Sequence, residues 1–375
     1  SGAVPGDTLL PSGKVEPGPH RVEPPCRHFG RCGGCQLQHC DDAVLARFVT
    51  DRVAQSASRQ GLEAETVQPV HLSPPHTRRR VTLHAINGGG RPLIGFREGG
   101  SHQLVDIREC HVMRPELFAL VEPLRGLLGL WRGKYAVDID LTLVGQGVAC
   151  DIPKLRYEGL EQTQALIDFA REQALARLSV DQEYGPETQW EPDPATVTLG
   201  GVPVGFPVGG FLQATADGEA ALVGAAREWI GTGRIADLFA GLGTFAFALA
   251  DRGEVEAFEA SRDASQLCRI AAGRARLPVK AHHRDLFRNP LQLDELAGFD
   301  AVLLDPPRAG AREQTGLLAR STVARIVYVS CNPQSWARDA ATLVAGGYRL
   351  RALKPVGQFR WSTHVELVSL FERAE

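Results

Sequence analysis

The chain has 375 residues, of which 43% are hydrophobic and 23% are charged, and its formal net charge is −3 at pH 7. This is the composition of a globular protein large enough for two or three domains, and it excludes one that binds polyanions through a uniformly basic surface. The sequence has no stretch of about 18 uninterrupted apolar residues, so we expect no transmembrane helix and no membrane partner.

The first 25 residues are rich in proline and glycine, which predicts a linker or the end of a preceding domain. The chain begins at Ser1 without an initiator methionine and without the segments of a secretory signal. Eight cysteines, several of them clustered at metal-ligand spacing, favour a reducing compartment over a disulfide scaffold. We therefore expect a cytoplasmic protein whose natural N terminus is missing.

A cysteine cluster follows on a short glycine-containing segment. Five residues separate Cys26 from Cys32, two separate Cys32 from Cys35, and either Cys40 or Cys110 could supply a fourth thiolate. Close thiolates in a reduced compartment suit zinc or an iron–sulfur cluster. The spacing alone leaves zinc, an iron–sulfur cluster and unliganded cysteines open.

Two acidic residues, Asp41 and Asp42, precede a run with helical apolar spacing, which predicts a helix that ends near Gln60. Between residues 81 and 148 the pattern changes to short alternating runs broken by glycines. That pattern predicts a mostly antiparallel sheet.

A basic segment overlaps the start of this sheet. Between residues 71 and 97 the chain carries Arg78, Arg79, Arg80, Arg91 and Arg97 and has no Asp or Glu. Such a cluster can contact nucleic-acid phosphates, and binding through it would weaken as salt rises. A solvated basic face is the alternative. We predict that the three consecutive arginines contact the substrate.

From about residue 205 onward, strand-like runs alternate with helical ones. The strand-like runs are residues 235–239, 255–259, 301–305, 326–330 and 365–371. This rhythm predicts a doubly wound, Rossmann-like α/β sheet, so the predicted fold class is α/β with a second, mostly antiparallel domain.

Residues 237–245 place Gly241 and Gly243 between a predicted strand and an alanine-rich helix, where the backbone can approach a ligand closely. Glu259 ends the next strand 22 positions after Asp237, a separation at which a carboxylate can bind both ribose hydroxyls. The loop lacks the third glycine of a dinucleotide site and the Lys-Ser/Thr of a phosphate loop. These features favour S-adenosylmethionine over NAD or ATP.

Two further acids follow later strands. Asp285 can either contact the adenine or cap a helix. Asp305 ends the fourth strand, at the carboxyl edge where ligands bind in such sheets, and two prolines follow it. In amino-group methyltransferases a related motif is followed by an aromatic residue that stacks on the target base. Arg308 stands in that place here, which favours a ring carbon over an exocyclic nitrogen as the methyl acceptor.

Cys331 directly follows the apolar run 326–330. Carbon 5 of a pyrimidine is a poor nucleophile, and a thiolate that adds to C6 makes C5 reactive toward a sulfonium methyl. A base must then remove the C5 proton, and Glu366 on an otherwise apolar strand is the candidate. A buried, inert Cys331 and an exposed, uninvolved Glu366 are the alternatives. Phe211 could stack on a base that has left its helix.

Together these motifs resemble the RNA 5-methyluridine methyltransferase family, and most of all its iron–sulfur branch that modifies 23S ribosomal RNA. The resemblance extends from about residue 24 to the C terminus. The residues that carry it are 32–39 (CGGCQLQH), 210–213 (GFLQ), 237–245 (DLFAGLGTF), 305–310 (DPPRAG), 330–333 (SCNP) and 364–366 (HVE).

The resemblance implies a Rossmann-like methyltransferase domain and a smaller central domain that carries a four-iron, four-sulfur cluster and contacts RNA. The implied divisions are a linker or a remnant of an RNA-binding TRAM barrel at 1–25, the central domain at 26–40 and 71–205, and the methyltransferase domain at 41–70 and 206–375.

The resemblance also implies roles for individual residues, with Cys331 as the nucleophile and Glu366 as the base. The implied cluster ligands are Cys26, Cys32, Cys35 and Cys110, which leaves Cys40 as a bystander. The implied donor contacts come from Gln213, Phe239, Thr244, Glu259, Asp285 and Asp305.

Three departures from the family pattern stand out. The family usually has Asn where Thr244 and Thr215 stand, and a complete TRAM barrel is absent. The leading hypothesis is S-adenosylmethionine-dependent methylation of uridine C5 in 23S ribosomal RNA by a monomeric enzyme. The alternatives are a transfer RNA uridine, a cytidine C5 as acceptor, and a non-catalytic iron–sulfur module that binds RNA.

Overall fold

A computed structural model of the chain describes residues 2–374. Ser1 and Glu375, which fall in the predicted linker and the predicted methyltransferase domain, lie outside the described residues. The N-terminal elements are β1 (Thr8–Leu9), β2 (Val15–Glu16), α1 (Asp42–Ser58), β3 (Thr66–Val67) and β4 (His71–Leu72).

The middle elements are β5 (Arg80–Asn87), β6 (Leu93–Arg97), β7 (Leu104–Asp106), α2 (Pro115–Ala119), α3 (Val121–Leu128), β8 (Tyr135–Val144), β9 (Gly147–Pro153), α4 (Gly159–Glu172), β10 (Arg177–Asp181), β11 (Pro186–Trp190), β12 (Thr196–Leu199) and β13 (Val202–Gly205). The C-terminal elements are α5 (Ala216–Trp229), β14 (Gly233–Leu238), α6 (Thr244–Leu249), β15 (Gly253–Glu259), α7 (Arg262–Ala275), β16 (Val279–His283), α8 (Leu293–Leu296), β17 (Ala301–Leu304), α9 (Arg312–Arg320), β18 (Arg325–Ser330), α10 (Pro333–Ala345), β19 (Tyr348–Gly357) and β20 (Glu366–Arg373).

The middle sheet has seven strands in the order β11-β10-β9-β8-β5-β6-β7, and all neighbouring pairs are antiparallel except β9 with β10. Alternate residues of β5, namely Val81, Leu83 and Ala85, are buried, as the period of two in a half-buried strand requires. They share a core with Leu124 of α3 and Phe169 of α4. The middle of the chain therefore has the mostly antiparallel sheet that its sequence predicts.

The large sheet follows the order β16-β15-β14-β17-β18-β20-β19-β3, and the short β4 also pairs with β19. The first five strands are parallel, whereas β20 runs antiparallel to both β18 and β19. The predicted α/β fold class is confirmed, with mixed rather than purely parallel sheets. Because the parallel strands all end at one edge, the loops that follow them converge there.

Helices cover both faces of the large sheet, so it separates two hydrophobic cores. One core contains Leu222 of α5, Phe245 of α6 and Ala271 of α7. The other contains Leu318 of α9 and Trp336 of α10, together with side chains of α1 and α8. This arrangement is the doubly wound one that the sequence rhythm predicts.

Helix α1 matches the helix predicted after the cysteine cluster. The Asp41 carboxylate caps it by accepting a hydrogen bond of 2.9 Å from the Val44 amide. Its buried face, with Val49 and Val53, packs in the core beside α10 and β19. The helix therefore lies on the large sheet, although it precedes the whole middle sheet in the sequence.

The N-terminal segment, predicted as a linker or a barrel remnant, forms the short β1–β2 hairpin and packs against the rest of the molecule. Val4 shares a small core with Cys40, Leu45 and Trp361. All eight cysteines of the chain are free thiols. No helix within residues 2–374 is long and apolar enough to cross a membrane.

Candidate active site

The loop between β14 and α6 turns sharply at the carboxyl edge of the large sheet. Phe239, Gly241 and Gly243 have φ angles of +62°, +56° and +95°, in the left-handed region that favours glycine. A Cβ atom at Gly243 would lie 2.9 Å from the Cys268 sulfur, so this position also requires glycine for space. The turn leaves the start of α6, at Thr244, facing this edge of the sheet.

Glu259 ends the adjacent strand β15 and is bound to this turn. Its two carboxylate oxygens accept hydrogen bonds from the Gly241 amide, at 2.9 Å, and from the Ser261 amide, at 2.6 Å. The side chain is half-buried. An acid held in this way at the end of β15, the strand that follows the glycine turn in the sequence, lies where a ribose ligand is expected.

Asp285 follows β16 and lies on the far side of the same turn. It accepts a hydrogen bond of 3.0 Å from the Phe287 amide, so part of its hydrogen-bonding capacity serves its own loop. The half-exposed Phe287 ring lies 5.3 Å from the Phe239 ring, between centroids. The predicted donor contacts Phe239, Glu259 and Asp285 therefore border a single surface, although their contact with a donor stays a prediction.

Cys331 and Glu366 lie at the ends of neighbouring antiparallel strands. The register pairs Ser330, the last residue of β18, with Leu367 of β20. Continued by one residue, the same register sets Cys331 opposite Glu366, and side chains that are opposite in such a pair have Cβ atoms about 5 Å apart. Asp305 follows β17, the strand on the other side of β18. The structure thus brings these three residues together.

The carboxyl groups of Glu366 and Asp305 both have raised pKa values. Burial raises the pKa of Glu366 to about 8 and the charge of Asp305 adds to that rise, while Gln358 and Arg80 oppose it. Burial also raises the pKa of Asp305 to about 7, against a hydrogen bond from Gln213. A carboxyl group with a pKa near neutrality can both take up and release a proton at physiological pH.

The Cys331 thiol is held in its protonated form. Burial raises its pKa to about 11, with added contributions from the charges of Glu366 and Asp305, and Arg308 opposes the rise. Arg308 also lies 3.4 Å from the His364 ring nitrogen, and its carbonyl accepts hydrogen bonds of 2.9 Å from the side chains of Asn332 and Ser335. These bonds tie the loop after β17 to the loop that carries Cys331.

Gln213 connects the donor side of the site to the acidic pair. Its side-chain nitrogen donates to Asp305 at 3.2 Å, and its side-chain oxygen accepts from Gln358 at 2.8 Å. Thr215, where the family usually has Asn, caps α5 by accepting from the Gly218 amide at 3.0 Å. Thr215 therefore has a structural role as the N-cap of α5.

The three consecutive arginines of the basic segment do not share one surface. Arg79 forms an ion pair of 2.5 Å with Glu219 and donates to the Gln213 carbonyl at 3.1 Å. Arg80 stacks on the exposed Phe211 ring at 4.6 Å from the centroid. Consecutive side chains of an extended chain point to opposite faces, which is why Arg79 separates from Arg80. Arg80 and Phe211 remain the members placed to meet a base.

Arg78 lies away from this site and lines a cavity formed by the N-terminal and middle parts of the chain. The cavity encloses about 550 Å³, part of it open to solvent, and Arg78 lines it together with Cys26, Cys32, Cys35 and Cys110. Cys40 lies elsewhere, buried in the small core with Val4. The four cysteines that the family resemblance selects thus converge, and the fifth does not.

The convergence is not that of a site for one metal ion. No group of three or more His, Cys, Asp or Glu side chains within residues 2–374 is close enough to hold one. Thiolates around a single tetrahedral zinc lie within about 4 Å of each other, since each zinc–sulfur bond is about 2.3 Å. By this measure neither of the metal alternatives, zinc or an iron–sulfur cluster, is preformed within the described residues.

Comparison with known proteins gives consistent matches. An uncharacterised RNA methyltransferase of Zymomonas mobilis is 48% identical over 99% of this chain and 94% of its own length. An uncharacterised RNA methyltransferase of Caulobacter vibrioides is 40% identical, over 96% of this chain and 88% of its own length. The 23S rRNA (uracil(1939)-C(5))-methyltransferase RlmD of Chromohalobacter salexigens is 34% identical, over 95% and 77%.

Two further matches agree with these relatives. The model of the tRNA (uracil-5-)-methyltransferase family matches residues 256–374. The crystal structure of the Pyrococcus abyssi tRNA (uracil-54, C5)-methyltransferase, in complex with S-adenosyl-L-homocysteine, superposes with a TM-score of 0.76 at 24% identity, over 99% of this chain and 94% of that one. The second match shows that the whole chain has the fold of that enzyme.

Fold and relatives together define an RNA methyltransferase, a transferase of one-carbon groups. More narrowly, the chain belongs to the RNA (uracil-5-)-methyltransferase family. The family and enzyme class predicted from the sequence are thereby confirmed.

Proposed function

We propose that this enzyme uses S-adenosylmethionine to methylate C5 of a uridine in 23S ribosomal RNA. The observation that carries the proposal is the placement of Cys331 opposite Glu366, one strand from Asp305, at the sheet edge where the glycine turn also ends. A thiol, a base and a donor loop at one edge are the groups that methylation of a pyrimidine carbon requires.

The reaction begins with Cys331. The Cys331 thiol gives its proton to solvent, the sulfur bonds to C6 of the uracil, and the electrons of the C5–C6 double bond make C5 nucleophilic. C5 then bonds to the donor methyl carbon, and the methyl–sulfur bond breaks to leave S-adenosylhomocysteine. The Glu366 carboxylate takes the C5 proton, the double bond re-forms, and the Cys331 sulfur departs as a thiolate. The thiolate takes a proton back from solvent, and Glu366 releases the C5 proton to solvent. The net change is one methyl gained and one proton released.

On the donor side, we assign the ribose hydroxyls to Glu259 and the adenine to the surface of Phe239 and Asp285. Thr244 faces the same turn, and Gln213 lies between donor and acceptor through its hydrogen bond to Asp305. On the acceptor side, the exposed Phe211 ring under Arg80 is a platform on which a flipped base can stack.

The choice of 23S ribosomal RNA is supported by one relative, the Chromohalobacter salexigens RlmD enzyme, at 34% identity. Transfer RNA is the second candidate, because the matching family model is that of the tRNA (uracil-5-)-methyltransferases. The eight free thiols are consistent with a protein of the reducing cytoplasm.

We also propose that the central domain consists of residues 26–40 and 71–205.

We further propose that the cavity lined by Cys26, Cys32, Cys35 and Cys110 holds a four-iron, four-sulfur cluster. Four thiols that line one cavity are the ligand set that such a cluster uses. Arg78 supports the fit, because among residues 2–374 its guanidinium contacts the Arg80 carbonyl and the Phe359 ring rather than a carboxylate. An anionic cluster would balance this charge. Such a cluster has no step in the methyl transfer proposed above.

The decisive test is methylation of RNA from a strain that lacks its own uridine-C5 methyltransferases, with the purified enzyme and donor labelled in the methyl group. The proposal expects label at C5 of one uridine of 23S ribosomal RNA. Label in transfer RNA would favour the second candidate, and label at a cytidine or no label at all would contradict the proposal.

A further inference from the structure

Gln358, the residue after β19, lies between the two halves of the proposed site. It is only 1% exposed, although its side chain is polar. A buried amide requires hydrogen-bond partners for its oxygen and for both hydrogens of its nitrogen. The identity of those partners determines what the residue does.

The partners come from three different elements. The Gln358 oxygen accepts from the Thr215 amide, at 3.4 Å, where α5 begins. Its nitrogen donates to the Gln213 oxygen at 2.8 Å. Gln358 also acts on Glu366, because it follows Val356, the β19 partner of Glu366, by two residues, and it lowers the pKa of Glu366 against the effect of burial. The bonds to Thr215 and Gln213 fix the orientation of the amide.

The first turn of α5 leaves room for the Gln358 side chain. Gly218 lies in the first turn of α5, and a Cβ atom there would come within 2.6 Å of the Gln358 Cβ and 3.1 Å of its side-chain oxygen. Any other residue at Gly218 would therefore push Gln358 away from its partners. The close approach of the helix explains why a glycine is present inside α5.

Because Gln358 donates to the Gln213 oxygen, the orientation of Gln213 is fixed as well. The Gln213 nitrogen must then point to Asp305, to which it donates at 3.2 Å. One buried amide therefore orients the hydrogen bond to Asp305 and acts on the pKa of the base, Glu366.

We propose that Gln358 is the positioning residue of this enzyme, which holds Glu366 ready to remove the C5 proton and orients Gln213 toward Asp305. The proposal rests on the proposed function, since it assumes that Glu366 is the base. Glu366 also faces Asp305, Cys331 and Arg80, which belong to three other elements. Asp305 disfavours the Glu366 carboxylate, so Gln358 and Arg80 are the groups that stabilise it.

The test compares Gln358→Met, which keeps the length of the side chain but removes its donors, with Gln68→Met as a control. Gln68 also donates to a carboxylate, that of Glu228 at 3.3 Å, but on the exposed surface and away from the site. Single-turnover methyl transfer is measured from pH 6 to 9, together with the KM for donor and the fraction of RNA bound covalently to protein.

We expect Gln358→Met to lower the rate at pH 7 about tenfold and to move the rise of the rate with pH upward by about one unit. Covalent RNA should accumulate because proton removal is slowed, and the KM for donor should rise through the freed Gln213. The Gln68→Met protein should behave as the wild type. A Gln358→Met protein with the wild-type pH profile and no excess of covalent RNA would overturn the proposal.

A second variant guards against misfolding of the first. Gly218→Ala places a Cβ atom 2.6 Å from the Gln358 Cβ and 2.7 Å from the Thr215 hydroxyl, so it should displace Gln358 and reproduce the shift of the pH profile. Folded Gly218→Ala protein with a wild-type profile would also count against the proposal. If the wild-type enzyme makes no 5-methyluridine, the proposed function has failed. If the wild type is active but neither variant shifts the pH profile, the role proposed for Gln358 has failed and the proposed function stands.

Discussion

Cysteine occurs in two contrasting environments in this molecule. Cys331 stands alone at the end of β18, and burial, together with the charges of Glu366 and Asp305, raises its pKa to about 11. Four of the other seven cysteines line one cavity, beside the cation of Arg78. The first environment lets one thiol react only when its proton is removed, whereas the second gathers several thiols for a shared ligand. In the proposed function, the same side chain serves catalysis in one place and cluster binding in the other.

The largest expected effect comes from removing the Cys331 thiol, which tests whether it is the nucleophile. Cys331→Ala should lower methyl transfer by at least about a thousandfold, because the step that activates C5 is lost. Donor binding, followed by calorimetry, should stay within about twofold of the wild type, since no donor contact is assigned to Cys331. A Cys331→Ala enzyme with substantial turnover would refute the nucleophile.

The converging thiols can be tested separately. Cys32→Ser protein, purified without oxygen, should lose most of its iron and its brown colour, because a hydroxyl is a poor substitute for a thiolate ligand. Cys40→Ser is the matched control and should keep its iron, since Cys40 lies outside the cavity. Iron and zinc are counted by elemental analysis. Zinc in place of iron in the wild type, or iron loss in the control, would contradict the cluster.

The acidic pair predicts how activity depends on pH. Glu366 must be ionised to act as a base and has a pKa of about 8, so the rate should rise roughly tenfold per pH unit below pH 7. That figure is for Glu366 alone, and because the Cys331 thiol, with a pKa of about 11, must also lose its proton, the combined rise can reach about a hundredfold per pH unit. Single-turnover rates in buffers of constant ionic strength measure this. A rate that is flat between pH 6 and 8 would exclude this role for the pair.

The smallest effect concerns stability. The pKa of Glu366 is raised by burial, so its contribution to stability is present at low pH and is lost as pH rises from about 4.5 through about 8. Glu366→Gln should therefore be more stable than the wild type at pH 9, by on the order of 2–4 kcal/mol, and similar to it at pH 5. Urea unfolding at the two values measures the difference.

Glu228→Gln is the control for this comparison, because Glu228 is exposed and bonded to a neutral side chain. Its stability relative to the wild type should not change between the two pH values. An equal gain in both variants would indicate a general charge effect rather than the burial of Glu366.

The sequence predicts those parts of the molecule that depend on local pattern. The cap at Asp41, the glycine turn at Gly241 and Gly243 and the strand ends that carry Cys331 follow from residues close together in the chain. Each obeys a rule of propensity or period that the sequence displays directly.

Features that depend on distant partners are not visible in this way. Gln358 looks like an ordinary loop residue, and only the fold brings it to Gln213, which is 145 positions away in the chain. Arg79 looks like part of a basic patch, but Glu219, on α5, engages it. Helix α5 contains two glycines, and only the fold shows that Gly218 is closely packed whereas Gly224 has open space beside it.

The central claim is that Cys331 forms a covalent bond to C6 of the target uracil and that Glu366 resolves it. Glu366→Gln enzyme is incubated with donor and RNA, the RNA–protein complex is digested with nuclease and protease, and the modified peptide is identified by mass spectrometry. The account predicts one methylated uridine attached to Cys331. Attachment to another cysteine, or continued production of 5-methyluridine without any attached nucleotide, would contradict it.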